Sequence, residues 1–435
     1  MKPSARSRSY KWWVVGMLWS VCFFNYADRQ AIFSVFPLLT ADLHLSDVQL
    51  GIIGSSFMWA YAFFGPVAGW TCDVVSRRTL VIGGLVAWSG ATLATAHAHD
   101  FHELVLWRVI SGLAEAFYFP ASISLISDFH GVDTRSRAMS LHQSSVYAGS
   151  AVGGALCGIL AQAFGRWQVS FVVFGALGIA LAVLLTQTLV EPPRGLSDAY
   201  VAPAVSRSSL ITRLKPLLSS PRVLLLVAAF IGANFVAVIF LSWMPAFLYR
   251  RFHLGLAMSG IDGTLYLSAA CCVGTLLGGW LADRLSSGSR RGAKRIRSGR
   301  MLTQSLGLLA GAPFLLLAGL GRSLAVVLVA VTCFGVCKGI YDSNIWASLY
   351  DLIEVEQRGT AVGFMNSLGW LGGGVAPVAV AVGAAHFGIG PCISATAVIY
   401  AGFGIALLAA ASARSDRQPS YAAATPPYSS DRRLR

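Results

Sequence analysis

The sequence predicts an all-α, polytopic membrane protein with twelve transmembrane helices in two pseudo-symmetric six-helix bundles. Three observations predict it. The first is composition: 55% of the 435 residues are hydrophobic, 12% are charged and the mean hydropathy is +0.65. A soluble chain carries about 25% charged residues. The second is that apolar windows of about 20 residues, the length that crosses a bilayer, recur along the whole chain. The third is an internal repeat. Asp128-Phe-His-Gly-Val-Asp-Thr-Arg135 returns as Asp351-Leu-Ile-Glu-Val-Glu-Gln-Arg358, an offset of 223 residues. Gly69-Trp70-Thr-Cys-Asp73 returns as Gly279-Trp280-Leu-Ala-Asp283, an offset of 210 residues. Two parallel copies of an apolar unit of this size are a common construction of secondary transporters.

The expected spans of the first copy are 13–37, 48–71, 79–97, 103–127, 138–161 and 168–189. Those of the second are 221–246, 260–281, 300–320, 323–350, 360–384 and 391–412. The start, Met1 to Lys11, is basic and polar and runs into the first span without a small-residue cleavage site, so that span reads as a retained helix. The copies meet at Glu191-Pro-Pro-Arg-Gly195. This gives an N-terminal bundle over 1–190, a cytoplasmic linker rich in Ser and Pro over 191–220 and a C-terminal bundle over 221–412. The tail 413–435 lacks apolar periodicity and reads as a disordered cytoplasmic segment. The loop Ser286–Gly299 is longer than its counterpart after Asp73, which accounts for the change of offset from 210 to 223.

A net charge of +14 invites a nucleic-acid reading, and the distribution of the charge argues against it. Of the 33 Lys and Arg residues, 26 fall in the termini and alternate loops, and only Arg166, Arg250, Arg251 and Arg322 fall in the opposite loops. This bias places both termini in the cytoplasm; the membrane expected for the chain is a bacterial inner (plasma) membrane. The basic runs Arg290–Arg300 and Arg194–Arg222 read as topology signals facing anionic lipid. The eight cysteines contain no Cys-x-x-Cys and read as small packing residues. Gly149-Ser-Ala-Val-Gly153-Gly154 and Gly369 with Gly372-Gly373-Gly374 occupy equivalent points of the fifth and eleventh spans. Small residues at that spacing let helix backbones approach closely, for packing alone or for sliding between half-bundles.

These residues lead to a resemblance. The pattern over about residues 12–412 resembles the major facilitator superfamily. That family carries Gly-x-x-x-Asp-x-x-Gly-Arg-Arg/Lys after its second helix, and the chain has Gly69-Trp-Thr-Cys-Asp73-Val-Val-Ser76-Arg77-Arg78. Ser76 replaces a glycine and Val74 an arginine, and the second copy keeps only Gly279-Trp-Leu-Ala-Asp283-Arg284. The family's fourth-helix Arg-x-x-x-Gly appears as Arg108-Val-Ile-Ser-Gly112. Asn25-Tyr26-Ala27-Asp28-Arg29 and Arg108 with Glu115 look like the anion:cation symporters of sugar acids, and the same acids occur in spinster-like lipid transporters. Glu191-Pro-Pro-Arg-Gly195 and Arg135-Ser-Arg-Ala-Met-Ser140 look more like spinster.

An ionisable group inside a span costs roughly 2.5–3.5 kcal/mol on insertion scales and so calls for a role. Asp28, Arg29, Arg108, Glu115, Lys338 and Asp342 are the six. The 223 offset sets Glu115 opposite Lys338, an acid in one half and a base in the other. Arg108 and Glu115 are two helical turns apart and share a face, while Asp28 and Arg29 diverge by about 100°. One of that last pair faces the cavity and the other faces helix four. Burial disfavours a charged carboxylate and a nearby guanidinium favours it. Moving Arg108 during alternating access would thus load or release a proton on Asp28 or Glu115. The plainer reading is a static set of ion pairs that fixes packing.

Arg29 is the candidate grip for an anionic substrate, because its planar fork makes two bonds to a carboxylate. Lys338 could add a second positive point, or pair with Asp342 four residues on. Tyr341, Asn344, His142, Gln143 and Tyr147 are candidate polar contacts, with Asn25, Asn234 and Asn366 weaker ones. Asp73, Arg77, Arg78, Asp283 and Arg284 are candidate gating residues at helix ends, where an acid pairs with Arg or caps a helix. His97-Ala-His99-Asp-Phe-His102-Glu103 is the one metal-like run, and it stands without a second cluster. No nucleophile elbow, Walker loop or dinucleotide fingerprint is present, so no cofactor and no enzyme chemistry is expected. The sequence therefore reads as a monomeric, proton-coupled symporter of a small organic anion, a carboxylate or sugar acid. A spinster-like carrier of lysolipids or related amphiphiles is the alternative, and a non-transporting membrane receptor the reading from another class.

Overall fold

The apolar windows become helices because a chain in lipid must satisfy its backbone polar groups internally. The computed structural model describes residues 8–193, 217–288, 299–353 and 358–412. Most of the expected linker, and the expected tail, lie outside the described residues. Among the described residues every regular element is a helix. The first half holds α1 (Arg8–Ser34), α2 (Phe36–Leu43), α3 (Asp47–Val74), α4 (Arg77–Thr95), α5 (Phe101–Ala116), α6 (Tyr118–Phe129), α7 (Val132–Phe164) and α8 (Gln168–Thr188). The second holds α9 (Pro221–Phe252), α10 (Leu256–Gly288), α11 (Gly299–Leu320), α12 (Leu324–Asp342), α13 (Ile345–Tyr350), α14 (Arg358–Phe387), α15 (Ile389–Ala395) and α16 (Ala397–Ser412).

Ten segments among the described residues are long and apolar enough to cross a membrane. The other two expected spans are α1 and α4. Both are helical over most of the expected residues, with 27 and 19 residues. Polar ends and charges lower their apolar content: α1 carries Lys11, Asp28 and Arg29, and α4 opens on Arg77 and Arg78. Many helices overrun the expected spans, as in α7 and α10, because the helix continues past the apolar stretch that marks it in the sequence.

Four expected single spans are split. Helix one breaks at Val35, four at Phe117, ten at Ser343-Asn344 and twelve at Thr396. Pro120 explains the second break: proline lacks an N–H and its ring clashes with the carbonyl four residues earlier, here Ala116, where α5 ends. Pro37 acts the same way against Phe33. At the break in helix ten, Asn344 Nδ2 donates to the Gly278 carbonyl (3.1 Å), so a side chain holds the distorted backbone. Glu115 and Lys338 thus stand close to the breaks of their helices.

The halves repeat one packing scheme. α1 lies on α7, α3 on α5 and α4 on α8. Correspondingly α9 lies on α14, α10 on α12 and α11 on α16. Between halves, α3 packs on α14 and α7 on α10. Glycine makes these seams close. A Cβ on Gly51 would lie 2.8 Å from the Pro377 carbonyl oxygen, and one on Gly158 2.6 Å from that of Leu256. Further contacts between the halves gather at the end that carries α2. Gln30 Nε2 donates to the Leu241 carbonyl (2.6 Å), Trp243 packs edge-on against Phe36, and Arg250 makes two bonds to Asp47 (2.8 and 2.6 Å).

Candidate functional site

α1 supplies two adjacent ionisable residues in the middle of the first half. Helical rotation sends them apart. Arg29 Nε donates to Glu115 on α5 (2.6 Å). Asp28 turns toward α4, where the Thr92 hydroxyl lies 3.2 Å from Oδ2. It is Arg29, then, that faces helix four of the expected numbering.

The Arg29 guanidinium is boxed by rings. Its centre lies 4.6 Å from the Tyr26 ring, 5.0 Å from Phe57, 4.5 Å from Tyr61 and 5.2 Å from Trp370. Trp370 comes from α14 and meets Tyr61 edge-on at 5.5 Å, so the box closes across the two halves. Desolvated cation–π contacts of this kind contribute about 2 kcal/mol or more. Arg108 on α5 also lies over Phe57, 4.5 Å from the ring centre.

The cluster is buried and incompletely satisfied. Asp28, Arg29, Arg108 and Glu115 are all under a tenth exposed. Arg108 Nε and Nη2, Arg29 Nη1 and Asp28 Oδ1 have no hydrogen-bond partner among the described residues. Buried polar atoms are nearly always paired, so four orphans in one cluster call for a reason. Three of them are guanidinium nitrogens, and what they can hold is an anion.

The second half places Lys338 and Asp342 one turn apart on α12, and they form an ion pair. Tyr341 is buried with its hydroxyl unpaired, while Asn344 is engaged with Gly278 and Ser343. His142 does not stand on an open wall. It is fully buried, and its Nε2 lies 2.9 Å from the Tyr118 hydroxyl, which donates to the Leu18 carbonyl (2.5 Å). Its ring fills the seam between α6 and α7. Gln143, the next residue, is exposed, as helical rotation requires. Tyr147, Asn234 and Asn366 are half-buried and Asn25 is buried.

The expected gating residues divide. The side chains of Asp73 and Asp283 lie outside the described residues. Arg77 forms an ion pair with Asp128 at the end of α6. Arg300 forms the matching pair with Asp351 (2.7 Å). Both partners are displaced by 223 residues, so the duplicated unit carries a duplicated ion pair. Arg78 holds the end of α8, donating to the carbonyls of Leu189 (2.6 Å) and Thr186 (2.5 Å). Arg284 lies over the Trp280 ring at 5.1 Å. In the histidine run, His97 bonds to the Leu93 carbonyl and Glu103 accepts from His99 N, so both close helix ends.

Several partners escaped sequence reasoning. The aromatic box did, because rings are frequent in every span. Glu191 did as well: it accepts from the backbone N–H of Arg77 (3.0 Å) and Arg78 (2.6 Å) and so caps α4. Its place directly before two prolines was the available signal. The Arg77–Asp128 pair was legible in principle, since both residues recur at the same offset.

A duplicated bundle of apolar helices with a buried acid–base cluster between them belongs to the class of membrane transporters, not enzymes. Comparison gives the family. The sequence model described as Major Facilitator Superfamily matches residues 18–377, and the chain belongs to that family. It is 28% identical over 359 residues to the hexuronate transporter of Bacillus subtilis (strain 168), covering 81% of this chain and 83% of that protein. It is 29% identical over 373 residues to protein spinster homolog 1 of Bos taurus, covering 82% of this chain and 70% of that one. A solved bacterial homolog of the human lysosomal transporter spinster, inward-facing and unoccupied, superposes with a TM-score of 0.74 at 24% identity, over 93% of this chain and 94% of that chain. That last likeness is one of fold.

Proposed function

We propose that the protein is a proton-coupled symporter that imports a small organic anion, a carboxylate or sugar acid, by alternating access. The observation that carries this reading is the set of unpaired guanidinium nitrogens on Arg29 and Arg108, buried beside two carboxylates. Charge counting extends it. With all six interior groups ionised, Asp28, Glu115 and Asp342 balance Arg29, Arg108 and Lys338. A proton on Asp28 or Glu115 makes the interior net positive, and a substrate carboxylate restores neutrality. Protonated Glu115 also gives up its ionic hold on Arg29, whose planar fork is then free for the substrate. Proton and anion therefore favour each other's binding, which is what coupling requires.

Contacts between the halves gather at the α2 end. The Arg77–Asp128 and Arg300–Asp351 pairs each stay within one half at the other end. We read this as the state that opens toward the termini, with those termini cytoplasmic in a bacterial inner membrane. In the opposite state, Asp73 and Asp283 with Arg78 and Arg284 would take part in closing the cytoplasmic side.

A second reading, a spinster-like carrier of lysolipids or related amphiphiles, has one feature in its favour. The four rings around Arg29 would suit an anionic headgroup with an apolar neighbour. One experiment separates the readings. Binding of a sugar acid, its uncharged parent sugar and a lysophospholipid is measured on purified wild type and Arg29→Lys. The symporter reading expects the acid to bind and its parent sugar not to, with a loss of at least about tenfold in Arg29→Lys, because a point charge cannot reproduce the fork. Equal affinity for acid and parent sugar would transfer preference to the amphiphile.

A further inference from the structure

The two interior ion pairs differ in their surroundings. The Lys338 and Asp342 side chains are 14% and 24% exposed, against 9% and 1% for Arg29 and Glu115. The pair in α12 is thus the more accessible of the two. Two buried phenols stand beside it. Tyr341 and Tyr400 are each 1% exposed, and neither hydroxyl has a partner among the described residues. The titratable groups close enough to interact with the pair are Cys271 on α10, Tyr147 on α7, Tyr341 on α12 and Tyr400 on α16. From α11, Gly307 and Gly311 face α12. Among the described residues, no second cation stands in this group, so Asp342 alone balances Lys338.

We propose that Lys338, Asp342 and the two phenols read the hydroxylated end of the substrate, and that the carrier selects sugar acids with one carboxylate over those with two. The inference rests on the sugar-acid reading above and specifies its substrate class. An ammonium–carboxylate pair that stays paired is neutral as a unit. It still offers carboxylate lone pairs to a substrate O–H and ammonium hydrogens to a substrate oxygen, and each phenol can donate and accept. That is a recognition set for a polyol. A second substrate carboxylate would have to draw Lys338 away from Asp342. Asp342 would then keep its charge in a low-dielectric interior without a partner, the costly outcome for a buried pair. The charge count agrees. One proton gives the interior a charge of +1, which one carboxylate neutralises, whereas a dianion overshoots.

The test uses the full-length protein in detergent and two probes of similar size, D-glucuronate with one carboxylate and D-glucarate with two. Affinities are measured for wild type, Asp342→Asn and the double variant Lys338→Gln/Asp342→Asn, each checked for a single gel-filtration peak. Wild type is expected to bind glucuronate at least tenfold more tightly. Asp342→Asn leaves Lys338 without its partner and is expected to move the ratio at least tenfold toward glucarate. The double variant, neutral again, returns the preference to glucuronate. Glucarate bound as tightly as glucuronate by wild type, or a ratio unmoved in Asp342→Asn, overturns the proposal while leaving the anion reading standing. Wild type that binds neither probe ends the sugar-acid reading, and this inference with it. If Asp342→Asn does not fold, the wild-type ratio decides.

Discussion

Arg29 holds a buried carboxylate, four rings and, in the proposed cycle, the substrate. Its removal is therefore costly. Arg29→Ala leaves Glu115 buried without its partner, and breaking such a pair costs about 3–5 kcal/mol. Adding Glu115→Gln to the same chain should restore much of that loss, because the orphan charge is gone. Thermal melts of both variants in one detergent check this, and an Arg29→Ala protein that melts with wild type contradicts the pairing. The sequence made the cluster legible because a charge in an apolar span is expensive and rare. Which charge meets which was less legible. Asp28 and Arg29 are adjacent, so only the rotation of α1 decides that Arg29 reaches Glu115 and Asp28 reaches Thr92. The box of Tyr26, Phe57, Tyr61 and Trp370 was invisible for another reason: it draws on three helices and both halves.

At the scale of elements, the junction of α4 and α8 is a mutual cap. Glu191 accepts from the first N–H groups of α4, and Arg78 returns two bonds to the last carbonyls of α8. Helix ends leave such groups unpaired, and a side-chain cap contributes about 0.5–2 kcal/mol. Glu191→Ala should lower the melting temperature, while Glu191→Gln, which keeps an acceptor, should lower it less. Equal losses would mean that charge alone is at work. The start of α7 offers a pH-dependent counterpart. His130 lies outside the spans, between Thr134 and the Lys11 carbonyl. Burial holds its ring below the ordinary histidine value; the hydrogen bond to the Lys11 carbonyl opposes this in part, and the charge of Lys11 adds to the lowering. The folded state thus prefers the neutral ring. The stability this contributes is present above the unfolded value of about 6.5 and is lost as pH falls through the folded one. Between pH 7.5 and 5.5 wild type should lose more melting temperature than His130→Gln, and parallel losses would contradict the assignment. Helix existence was readable here from apolar length. The splits were half readable: Pro120 and Pro37 announce theirs, whereas Asn344 acts through a tertiary bond to Gly278.

At the scale of the molecule, the repeat explains the symmetry and also where it fails, at the interior charges. Seams, ion pairs and helix breaks recur in both halves, while Glu115 becomes Lys338. In the proposed cycle, an acid beside arginines in one half and a base with its own acid in the other give an interior that is neutral when empty of protons and positive when loaded. The central claim is that this change of charge couples proton to anion. Reconstitution in vesicles with an inward proton gradient tests it most directly, with wild type, Asp28→Asn and Glu115→Gln side by side. Wild type should concentrate a sugar acid inside the vesicle, whereas an amide cannot release a proton. Both variants should fail to do so, though at least one should still exchange substrate across the membrane. If both variants accumulate substrate against its gradient as wild type does, the carboxylates only hold the helices together and the coupling account is wrong.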